Sequence, residues 1–195
     1  LPSVFSGLTK QDRQHLREIV ATAIEEASFF ENSYPGTKEL PEVQAYLAIL
    51  LFLNSEVHLR ERMDSYKSAN GKRAPASVVR SWREEYFQKI FSLLDECFPE
   101  LKEGQVPPQI YERLYKLRGD CYARLGESGK AAEVYQEFMK RYPKNKDVAS
   151  GLVCFECGKR HLYAREPQKA YKVLKEGEKR YKDAFYFPHI IDALY

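Results

Sequence analysis

Leu16, Ile19, Val20, Ala23, Ile24, Ala27 and Phe30 recur three and four residues apart, with Glu18, Glu25 and Glu26 mainly off that line. This spacing predicts an amphipathic helix. Thr9, with Asp12 three residues on, reads as its capping box, and Tyr34-Pro35-Gly36 as the turn that ends it. A second helix opens at Pro41-Glu42 and runs through Val43 to Met63. Its stretch Ala45 to Leu53 is apolar nearly all round, which predicts a helix sandwiched between others. The apolar period fails from Lys67 to Pro75, so a loop with a mobile basic tip at Asn70-Gly71-Lys72-Arg73 is expected. It resumes in Ser77 to Cys97 through Val79, Trp82, Tyr86, Ile90 and Leu94, and should stop at Phe98-Pro99. No segment alternates with period two, so the chain should be all-α, with about eight helices. Residues 1–107 are expected to form an N-terminal helical region of three to four helices, joined through Gly104 to Pro108 to a second region, 108–195.

The second region repeats itself. Counted from Glu112, Tyr115 stands at position 4, Gly119 at 8, Tyr122 at 11, Ala131 at 20, Tyr135 at 24 and Pro143 at 32. Tyr115 and Tyr122, with Leu114, Leu117 and Cys121, form one apolar stripe, and Gly119 leaves room for a second helix, Ala131 to Arg141. Leu125-Gly126-Glu127-Ser128-Gly129 supplies the reversal, Ala131 should face Gly119 across the hairpin, and Pro143 should end the second helix. A second copy places Cys154, Gly158, His161, Ala170 and Leu174 at the same positions, with its turn at Arg165-Glu166-Pro167. It departs in having Lys182 instead of proline at position 32 and Gly177 at position 27, where the first copy has Phe138. From Phe187-Pro188 to Tyr195 a further helix should begin and cap the stack.

These two copies resemble the tetratricopeptide repeat family, whose unit is a 34-residue helical hairpin. The resemblance implies a right-handed stack of antiparallel helical hairpins, an α-α superhelix whose concave face binds another protein. It implies packing roles for Tyr115, Gly119, Tyr122, Ala131, Tyr135, Gly158 and Ala170. It also implies a partner-binding groove formed by Arg113, Lys116, Asp120, Ala123 and Arg124 on the first helix of one copy and by Leu152, Phe155, Lys159, Leu162 and Tyr163 on the first helix of the other. Lys116 fits the family's peptide-carboxylate clamp, but Asp120 replaces its asparagine and Phe155 its second lysine. A helix or extended segment with apolar anchors suits such a groove better. The Pro41 to Leu53 helix is loosely similar to helical subunits of the proteasome-lid type, which implies permanent membership in a large complex.

Charge adds a second candidate surface. The net charge is +3, but residues 1–65 carry 6 Lys/Arg against 10 Asp/Glu, and residues 144–182 carry 11 against 5. The basic surface of Lys169, Lys172, Lys175, Lys179 and Arg180 could meet phosphate or an acidic protein, so RNA or ribosome association is the alternative function. Composition, 44% hydrophobic and 30% charged, is that of a soluble globular chain. The longest apolar run falls far short of the ~20 residues that span a bilayer. Four cysteines are too few for a secreted disulfide scaffold, which points to a reducing intracellular compartment, cytoplasm or mitochondrial matrix. The chain begins with Leu1-Pro2, which fits a processed organellar protein or a fragment, and keeps a mitochondrial complex in view.

Candidate chemistry is sparse. His15, His58, His161 and His189 are scattered, and no HExxH, glycine-rich phosphate loop or GxSxG elbow occurs, so no catalytic residue, metal or cofactor is expected. Cys154-Phe155-Glu156-Cys157 could hold zinc or exchange thiols, but a structural zinc site needs four ligands and no second CxxC is present. Core packing is the expectation. The chain therefore reads as a non-catalytic scaffold or adaptor mediating protein–protein interaction.

Overall fold

A reciprocal cap starts the first helix: the Asp12 N–H donates to Thr9 Oγ1 at 3.1 Å, and the Thr9 N–H donates back to Asp12 Oδ2 at 3.0 Å. The computed structural model describes residues 9–101, 108–141 and 148–180, and among these there are seven α-helices and no strand. By its internal packing the chain divides into two compact units, Leu1–Pro107 and Pro108–Tyr195.

In the first unit α1 (Lys10–Ser33) packs on α2 (Leu40–Asn70), and α2 packs on α3 (Ala76–Glu100). Among the described helices α1 packs closely on α2 alone, and its buried face is narrower than the stripe suggests: Val20 is buried, whereas Ile19 is 52% exposed. The sandwiched helix is α2, with Ala45, Leu47 and Ala48 fully buried. Buried Gln44 ties the three helices, donating to Glu96 of α3 at 2.8 Å and to Glu31 of α1 at 3.5 Å. Lys89 of α3 balances Glu31 at 3.1 Å.

Two boundaries differ from the sequence reading. The expected loop at Lys67 is helical as far as Asn70. Arg62 lies over the Trp82 ring at 5.0 Å and Tyr66 meets Trp82 edge-on, so packing against α3 holds the turn that lacks an apolar period. Only Gly71, at φ 66°, ends the helix, its N–H on Lys67 O at 2.9 Å. Likewise α3 passes Phe98-Pro99 and stops at Glu100. Leu101, buried, donates to Cys97 O at 2.9 Å and completes the last turn around Pro99.

The second unit contains α4 (Pro108–Arg124), α5 (Ser128–Arg141), α6 (Val148–Tyr163) and α7 (Pro167–Arg180), each packed on the next. Helix α5 begins three residues earlier than expected, so Gly129 is helical and, of the two glycines of this turn, Gly126 alone carries a positive φ, 81°. The Gly126 N–H donates to Ala123 O and the Glu127 N–H to Tyr122 O, a Schellman closure. The α6–α7 turn repeats it: Arg165 N–H to Leu162 O and Glu166 N–H to His161 O. There the left-handed position is held by an arginine, at φ 62°.

The nearest neighbour of Gly119 is the residue at position 24. The three atoms nearest a Cβ built there are Tyr135 ring carbons, from 2.3 Å, and at Gly158 they belong to Leu174, from 2.5 Å. Each glycine therefore admits the large residue at position 24, and Ala131 and Ala170 at position 20 are both buried. Phe138 and Gly177 are buried at the matching position. Pro143, Lys182, the Gly104 linker, His189 and the helix expected at 187–195 lie outside the described residues.

Candidate partner-binding surface

The residues expected to form a groove divide into a closed half and an open half. On α4, Lys116 and Asp120 form a half-buried ion pair with each other, and Asp120 Oδ1 also accepts the Tyr135 hydroxyl at 2.6 Å. Both charges are thus committed inside the hairpin. Tyr135 is 1% exposed, and burial pushes its phenol well above the usual tyrosine range, with the Asp120 carboxylate adding to it. Glu156 and Arg160 of α6 also act on that phenol and pair with each other at 2.9 Å. Arg113 is exposed at the start of the helix, and Arg124 is half-buried at its end.

The open half is on α6. Tyr163 is 61% exposed and Leu162 43%. The Lys159 ammonium lies 5.8 Å from the Phe155 ring centre and 6.0 Å from that of Tyr163, and the Arg160 guanidinium lies 5.3 Å from Tyr163. Lys159 also stands 3.7 Å from Glu156. The structure thus brings Phe155, Lys159 and Tyr163 together as one cationic-aromatic patch.

The two CxxC cysteines do not converge. Cys154 Sγ turns to Val173 O of α7 and Cys157 Sγ to Ala132 O of α5, each at 3.5 Å. Burial pushes the Cys154 thiol up to about 12 and the Cys157 thiol higher still. Both are core residues of α6, and among the described residues no three ligand-type side chains gather on one point. Of the other packing residues, Tyr115 is buried and donates to Glu137 at 3.2 Å, while Tyr122 is half-buried under the Lys130 ammonium.

His161 is 3% exposed and is held at both nitrogens. The Gln136 side-chain amide of α5 donates to Nε2 at 2.7 Å, which leaves Nδ1 to donate to Glu166 Oε2 at 2.7 Å in the α6–α7 turn. The sequence marks His161 only as a repeat position; its two polar partners lie 25 residues before and 5 residues after it, too far apart for a motif to show.

The basic residues of α7 do not form a single uniform face. Lys175 pairs with Glu178 at 2.7 Å and lies 6.0 Å from exposed Tyr171, and Lys169 pairs with Glu166 at 2.6 Å. Lys172 and Lys179 are exposed and Arg180 is half-buried. Lys169, Lys172 and Arg180 line a cleft shared with Lys140 and Met139 of α5, two residues that the charge count of α7 alone does not reveal. No described helix is long and apolar enough to cross a membrane. No protein-family model matches the chain, and no curated protein matches it.

Proposed function

We propose that this chain is a non-catalytic adaptor, a subunit of a larger protein complex, whose second unit stacks its hairpins in the manner of a tetratricopeptide superhelix. Its partner is a protein segment with apolar anchors, bound over the α6 face. The observation that carries this reading is the exposure of Leu162 and Tyr163 beside a lysine that spans two aromatic rings. Exposed aromatic and aliphatic side chains with a cationic rim are what an anchored segment desolvates on binding. The Lys116–Asp120 pair supports the hairpin behind that face rather than clamping a peptide end.

RNA or ribosome association through α7 has less support, because Lys169 and Lys175 already have carboxylate partners. Affinity purification of the full chain with quantitative mass spectrometry tests the choice. Stable neighbours should be retained through a rise in salt and lost with Tyr163→Ala plus Leu162→Ser. Recovery of the chain alone and monomeric, or a neighbour set that is RNA-dependent and falls steeply with salt, would remove the reading.

A further inference from the structure

A cleft of ≈440 Å³ opens between α5 and α7, which both pack on α6 and not closely on each other. Its apolar part is supplied by Met139, half-buried, and Val173, 8% exposed. Among the described residues four cations stand around them, Lys140, Lys169, Lys172 and Arg180, against the carboxylate of Glu176. Lys169 is held by Glu166, but Lys140 and Lys172 are exposed and have no ion-pair partner among the described residues. From Lys169 to Arg180 the α7 wall runs roughly 16 Å at 1.5 Å per residue, about three turns of a helix laid along it.

Two features decide what fits. A run of phosphodiesters would pass Glu176, with no ring among the described lining residues on which a base could stack. An amphipathic helix with carboxylates on its flanks satisfies both the cations and the apolar floor. We propose that the α5–α7 cleft binds an acidic amphipathic helix of a partner protein, with apolar residues on Met139 and Val173 and carboxylates on Lys140 and Lys172. This site is separate from the α6 face and stands or falls independently of it.

The test is fluorescence anisotropy on the full chain, with a labelled peptide of about 16 residues carrying Leu on one helical face and Glu on the others. Saturable binding is expected. It should weaken about tenfold or more in Lys140→Glu plus Lys172→Glu, weaken in Met139→Ser even at high salt, and stay unchanged in Tyr163→Ala. A peptide of the same composition without an apolar face should bind about tenfold more weakly. Circular dichroism should show all variants folded, and the milder Lys140→Gln plus Lys172→Gln pair replaces any that is not. Absent binding, equal binding of the faceless peptide, insensitivity to the lysine changes, or an oligouridylate that outcompetes the peptide would each overturn the proposal.

Discussion

The hydroxyl of Tyr135 donates to Asp120 Oδ1 across the α4–α5 hairpin, and the ring of the same residue fills the space that Gly119 leaves open. One side chain thus sets both the spacing and the polar closure of the hairpin. A methyl group at Gly119 would stand 2.3 Å from that ring, and the ring is tethered. Gly119→Ala should therefore cost about 1–3 kcal/mol of stability, read as a lower denaturation midpoint. The loss should shrink in a Tyr135→Phe background, where the tether is gone. Tyr135→Phe alone should cost about 2 kcal/mol, the scale of a hydrogen bond to a charged group.

Gly129 provides the internal contrast. It is helical, lacks a positive φ and has nothing within 4 Å of its missing Cβ. Gly129→Ala should stabilise the protein by about 0.4–1 kcal/mol, by restricting the unfolded chain. The same denaturation series that shows Gly119→Ala to be harmful checks this.

The two turns make a matched pair. Gly126 and Arg165 occupy the same left-handed position, but arginine carries the Cβ crowding that glycine avoids. Arg165→Gly should raise stability by up to about 1 kcal/mol, and Gly126→Ala should lower it by a similar amount. Thermal midpoints of the two variants should move in opposite directions.

All four cysteines are free and buried. With the Cys154 thiol pushed up to about 12, the thiolate fraction at pH 8 is about one in 10⁴. Thiol reagents should leave the folded protein unlabelled at pH 8 and react with all four sites once denaturant is added. Rapid stoichiometric labelling of the native chain would contradict the burial of α6.

Glu166 sets a pH dependence. Its carboxyl lies below the ordinary 4.5 because Lys169, and after it His161, bonds to the carboxylate. The unfolded chain therefore binds this proton more readily, so the stabilisation is present above about pH 4.5 and is lost as the pH falls through the lower folded value. The thermal midpoint of Glu166→Gln should change less than that of the unaltered protein between about pH 6 and 3. Asp12 in the first unit acts with the same sign through Thr9, and the comparison cancels it.

Helix positions were legible where local chemistry decides them. The Thr9 cap, the Pro41 start and the Gly126 stop each need only neighbouring residues. The end of α2 was not legible, because Lys67 to Asn70 has no period of its own and is held by Arg62 and Tyr66 on Trp82, a contact made across helices. Glycine at position 8 correctly marks a tight approach, but periodicity does not say which facing residue enters the gap. Of the residues expected to form a groove, Lys116 and Asp120 satisfy each other, a state that their positions do not reveal, while Arg113, Leu162 and Tyr163 stay exposed. The α5–α7 cleft was hidden because its lysines come from two helices separated by a whole third one.

The imidazole of His161 is anchored to Gln136 on one side and Glu166 on the other. Opening the α6–α7 turn that carries Glu166 would leave the buried ring without one of its two bonds, a penalty on the order of 1–3 kcal/mol. Opening of that turn is thereby discouraged, and α5 and α6 should lose their structure together with it.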